Sequence, residues 1–120
     1  MAVEHELKVL SVDTALELMG SPELFVEIAG MLLDELPELM SLIHKYAASG
    51  DLVELSKTAH RVKGNFGIIA AEQAAAAARD LEHTSRDGDR VGAEAAIVAL
   101  DAAAEYVVPE LQRLIAKHPD

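Results

Sequence analysis

The chain contains no cysteine and no tryptophan, and its only aromatic residues are Phe25, Tyr46, Phe66 and Tyr106. Without cysteine there are no disulfides and no thiolate metal sites. Half of the residues are nevertheless hydrophobic, so the core must be built from Leu, Ala, Ile and Val, which favours closely packed helices over a sheet. Basic residues are also scarce: ten Lys and Arg stand against 21 Asp and Glu, a net charge of −11. That balance argues against nucleic acid, whose binding needs a basic footprint. The apolar runs fall far short of the roughly 20 residues that cross a bilayer. Residues Met1–Glu6 are acidic and lack the apolar run of a secretory signal. A single cytoplasmic domain over residues 1–120 is the resulting expectation. Glycine-rich phosphate loops and Walker patterns are missing too, so no nucleotide site is expected.

The helices that are present announce their ends. A short first helix is predicted from Ser11 or Asp13 to Met19, stopped by Gly20. Ser21, Pro22 and Glu23 then form an N-cap, a first-turn proline and a first-turn acid. The helix they open carries Phe25, Ile28, Leu32, Leu36, Leu39 and Ile43 on one stripe, with Pro37 expected to bend or divide it. Ser49-Gly50 closes it, and Asp51 with Glu54 opens the next in the manner of a capping box. That third helix should end between Gly67 and Ala71. A fourth follows to Arg86, with Ala74, Ala77 or Ala78, and Leu81 inward. After the Asp87-Gly88-Asp89 turn, the last helix runs from Arg90 to about Ile115, kinked rather than stopped at Pro109. Short connections make consecutive helices antiparallel. The predicted fold is therefore all-α: an antiparallel up-down four-helix bundle with a short additional N-terminal helix.

One stretch does not fit a purely structural account. In the third helix Leu52, Leu55, Ala59, Val62, Phe66 and Ile69 form the buried stripe. His60, Lys63, Gly64 and Gly67 miss it and share an outward face. A glycine inside a helix costs about 1 kcal/mol relative to alanine, and this chain uses alanine freely, as Ala74–Ala78 shows. The benefit expected of Gly64 is a close approach by another molecule beside His60. Fraying of the helix end is the competing explanation for Gly67. Charge points the same way: residues 51–90 hold six basic and seven acidic residues, leaving −1, so the rest of the chain carries −10. The His60 segment is nearly neutral within an acidic protein, which favours an incoming phosphoryl group. A mixed-charge solvated helix would look much the same.

Ala59-His60-Arg61-Val62-Lys63-Gly64, in this helix order, resembles the histidine-containing phosphotransfer (Hpt) domains of phosphorelays. Leu36-Pro37-Glu38-Leu39 before the Gly50-Asp51 turn, and Leu81-Glu82 on the following helix, are similar to the family as well. The likeness covers residues 11–117. It implies that His60 accepts a phosphoryl group, that Lys63 offsets its charge, and that Gly64 and Gly67 serve partner docking. It implies further that Glu82 orients the imidazole, with Arg79 and Arg86 as auxiliary cations. Free imidazole titrates near 6.5, so it is a usable nucleophile near neutral pH. The implied partners are a response-regulator receiver domain and a sensor histidine kinase. The chain itself would need no cofactor, Mg2+ belonging to the receiver, and it would act as a monomer rather than as an enzyme. Two departures stand out: Asn65 and Phe66 replace small residues after Lys63-Gly64, and Ala70 replaces a glycine ten residues after His60. Gly67 is expected to relax that turn instead.

Three rival readings follow from the same residues. The domain would do the same chemistry as the phospho-accepting part of a larger chemotaxis-type or hybrid histidine kinase. A helical adaptor without transfer activity is a second rival, disfavoured by the presence of His60. A di-metal bundle needs paired Glu-x-x-His motifs, and the chain offers only Asp80-x-x-His83, with His5, His44 and His118 near helix or chain ends. No metal site is expected.

Overall fold

The computed structural model describes residues 20–117; the predicted Ser11–Met19 helix, His5 and His118 lie outside them. Four helices account for nearly all of this span: α1 (Pro22–Ser49), α2 (Leu52–Ile68), α3 (Glu72–Arg86) and α4 (Arg90–Lys117). Each helix packs against the next along the chain, and α4 closes the ring against α1.

The starts are set by side-chain caps. Ser21 Oγ accepts from the Leu24 amide at 3.0 Å, with Pro22 in the first turn where its missing N–H costs nothing. Asp51 caps α2 by accepting from the Glu54 amide at 3.1 Å. Only that half of the capping box forms, because the Asp51 amide is already bonded to the Tyr46 carbonyl at 3.0 Å.

The ends of α1, α2 and α3 share one device. At each, an amide reaches back five residues: Asp51 to Tyr46, Ala71 to Phe66, and Asp89 to Thr84. This is the Schellman closure, and it needs a left-handed residue just before that amide. Gly50 and Gly88 supply it in two cases with φ of 77° and 76°. Between α2 and α3 it is Ala70, at φ 57°. The expectation that Gly67 would relax this turn is thus corrected. Gly67 stays inside α2, and the strain falls on Ala70, because the Schellman bond fixes which residue must be left-handed. Buried Phe66 and Ala71 hold the turn in place. Replacing Ala70 with Gly should stabilise the protein by about 1 kcal/mol, raising Tm in a thermal melt by a few degrees. An unchanged or lower Tm would show that the turn is not strained.

Pro37 does not divide α1, which is continuous through it. Leu32, Leu36, Leu39 and Ile43 are all buried, so packing on both sides of the proline holds the helix together across it. The sequence stripes are otherwise close to the buried set, with small shifts. Ala29 takes the core position expected of Ile28, and Leu52 and Ala104 are only partly buried. The core is aliphatic and alanine-rich, with Phe25 and Phe66 its largest members. Alanines Ala74, Ala77 and Ala78 leave α3 thin, so its backbone and polar side chains come close to α2. That closeness builds the site.

Candidate functional site

With Ala59, Val62 and Phe66 turned inward, α2 presents His60, Gly64 and Gly67 to solvent. Lys63 is half-buried on the side facing α3. On α3, Leu81 is fully buried, which places the next residue, Glu82, at the α2–α3 seam. Ser56, one turn before His60, donates to the Glu82 carbonyl at 3.2 Å and ties the two backbones together there.

Glu82 is the centre of the arrangement. One carboxylate oxygen, Oε2, lies 3.0 Å from His60 Nδ1, and the other, Oε1, accepts from Lys63 Nζ at 2.9 Å. Arg86, one turn further along α3, brings its guanidinium to 3.9 Å from Oε2. The Glu82 side chain is only 13% exposed, and a carboxylate so far out of water needs compensating partners. Its hydrogen bond to Lys63 is the main reason its carboxyl is held below the ordinary range. Desolvation opposes this, and the His60 contact assists it.

The protonation pattern follows. An ionised carboxylate can only accept, so His60 Nδ1 must carry the ring proton. In the neutral imidazole that leaves Nε2 unprotonated, on a side chain that is 64% exposed. An accessible imidazole nitrogen with a free lone pair, and a proton pinned on the far side of the ring, is equipped for nucleophilic attack.

The remaining residues singled out by sequence fall into place as follows. The Lys63 ammonium sits on Glu82 rather than free beside His60. Arg79 does not join the Glu82 cluster; with Lys63, Glu72, Ala75 and Ala76 it lines a surface depression of about 410 Å3 beside it. A methyl group added at Gly64 or Gly67 would meet nothing within 4 Å, and neither glycine is left-handed. Nothing within the described residues therefore requires glycine at either position. Gly92 is the contrast, since a Cβ there would run into Asp89 and Thr84.

Two features escaped sequence reasoning. Arg61, adjacent to His60, bridges to Glu35 of α1 at 2.5 Å, and His44 pairs with Asp101 of α4 at 3.0 Å. Their partners are 26 and 57 residues apart, and no local pattern links them. Among the described residues, no three His, Asp or Glu side chains gather into a group that could hold a metal ion. No helix among them is long and apolar enough to cross a membrane.

Comparison with known proteins gives one match. A family model described as Hpt domain covers residues 27–115, and it takes in His60, Lys63, Gly64 and Glu82. No curated protein and no solved structure matches the chain significantly. With a family model spanning well over half of its length, the chain belongs to the Hpt domain family, the histidine phosphotransfer modules of phosphorelays.

Proposed function

We propose that His60 is the phosphoryl carrier of this domain, exchanging the group with the aspartate of a response-regulator receiver domain in the cytoplasm. The observation that carries this reading is the shared carboxylate of Glu82, which holds His60 Nδ1 and Lys63 together. In the forward step the Nε2 lone pair attacks phosphorus, an N–P bond forms, and the P–O bond to the aspartate breaks. The aspartate leaves as a carboxylate, and no proton is lost from Nε2 because it carried none. The product is a phosphoimidazolium that keeps its Nδ1 proton, and Glu82 offsets that positive charge. Transfer onward reverses the same bonds. Lys63, one helical turn from His60, and Arg86 supply positive charge near the phosphoryl oxygens, with Arg79 more remote. The chain needs no cofactor for this, since Mg2+ belongs to the receiver. The helices run alternately up and down, and the carrier works as a monomer.

Gly64 and Gly67 mark the docking surface. The half-exposed Ile68 continues their face at the end of α2. If Gly64 is kept bare for a partner, the free protein gains nothing from it. Gly64→Ala should stabilise the fold by about 0.5–1 kcal/mol in urea unfolding. Gly64→Gln should keep the helical fold but slow transfer from a phosphorylated receiver by about 10- to 100-fold, through displacement of the partner. Equal transfer by Gly64→Gln and wild type would remove the docking role.

A further inference from the structure

The outer face of α4 is apolar and exposed among the described residues. Val91 is 79% exposed, Val98 70% and Tyr106 62%. They are seven and eight residues apart, so they fall near one line along the helix, with exposed Ala95 and Ala102 between them. This is a second apolar stripe on a helix whose inner stripe, Ile97, Leu100, Val107 and Leu111, already serves the core. Beside it, Ala76 and Ala77 of α3 and Ala99, Ala102 and Ala103 of α4 line a groove of about 390 Å3 that ends at Tyr106. Alanines on both walls bring any occupant close to both backbones.

Charge decides what fits. From Val91 to Val108 the chain has three acids, Glu94, Asp101 and Glu105, and no Lys, Arg or His. Asp80 lines the groove from the α3 side. The groove thus has carboxylates on both of its margins, Glu94 and Glu105 on α4 and Asp80 on α3, while Asp101 is taken up by His44. A second copy of the chain would bring the same acids against these. An antiparallel α4 pair centred on the stripe would set Glu94 close to Glu105 of the other copy. We infer that the α3–α4 groove is a docking site for a basic amphipathic helix of a partner protein. The partner's apolar face would lie on Val98, Ala102 and Tyr106, and its lysines or arginines would reach Glu94, Glu105 and Asp80. This is the helix-in-groove mode of recognition, on a surface built by α3 and α4 and independent of the chemistry at His60.

The test uses the whole chain, 15N-labelled, titrated with a synthetic amphipathic peptide of Leu and Lys at helical spacing, and with its Leu/Glu counterpart. Saturable amide shifts are expected along α3 and α4, around Ala76, Ala99 and Ala102, with the Lys peptide only. Val98→Ser should weaken binding about tenfold, the loss expected for one buried valine side chain. Because Val98 is exposed, this change leaves the fold intact. Glu94→Gln with Glu105→Gln should weaken binding and flatten its dependence on salt. His60→Gln should bind as wild type does, which separates this site from phosphotransfer. Equal binding by the Glu peptide, shifts scattered over α1, or no effect of Val98→Ser would overturn the inference. So would self-association through this face in sedimentation, which would make a second copy the occupant.

Discussion

Replacing His60 with Gln should abolish phosphoryl acceptance while leaving the helical fold and the melting temperature nearly unchanged. Glutamine approximates the volume of histidine but offers no nitrogen lone pair able to form an N–P bond. The side chain is 64% exposed, so little packing is at stake. One contact to Glu82 is altered, but Lys63 remains on the other carboxylate oxygen, and an amide can still donate to Oε2. In a rapid-quench assay with a phosphorylated receiver domain, label should stay on the receiver in the presence of the variant and leave it with wild type. His44 and His83 remain in the variant and act as internal controls. Residual transfer at more than a trace would mean that another residue carries the group.

The second large effect is expected at Glu82. Glu82→Ala should slow transfer on the order of 10²-fold, because it removes the acceptor that fixes the tautomer and the charge that balances the phosphoimidazolium. Glu82→Gln should be milder. The amide oxygen can still accept from Nδ1–H and preserve orientation, while the compensating charge is lost. Equal rates for Ala, Gln and wild type in single-turnover transfer would show that His60 acts without an orienting partner.

The same carboxylate makes a stability prediction with a definite sign. Its folded-state pKa lies below the ordinary value of 4.5. Its contribution to stability is therefore complete above that value and is lost as pH falls through the lowered one. Urea unfolding of wild type and Glu82→Gln should differ most near neutral pH and converge in acid. A difference that grew on acidification would contradict the assigned network.

Much of this architecture was legible in the sequence because its signals are local. Ser21-Pro22, Asp51 and the glycines at 50 and 88 mark helix ends through bonds spanning no more than five residues. The stripes give the core by periodicity alone. The outward face of His60, Lys63, Gly64 and Gly67 came from the same periodicity, and Glu82 from the resemblance. What remained hidden depends on packing between helices. That Lys63 rests on Glu82, or that Arg61 meets Glu35, depends on the register of two helices, which caps and stripes do not encode. The left-handed backbone at Ala70 is hidden for a related reason. Composition made Gly67 the natural flexible residue, but the hydrogen bond from Ala71 to Phe66 selects position 70 for the left-handed backbone. Pro37 does not divide its helix, because the burial of Leu36 and Leu39 on either side holds the two turns together.

The central claim is that the phosphoryl group resides on His60 through Nε2, with Nδ1–H held by Glu82. It is tested most directly by phosphorylating 15N-histidine-labelled protein from a receiver domain and recording 31P and 15N spectra of the product. One acid-labile, alkali-stable phosphoryl group bonded to Nε2 of His60, and lost in His60→Gln, is the expected result. Phosphate on Nδ1, on another residue, or on neither protein after the receiver has discharged would contradict it.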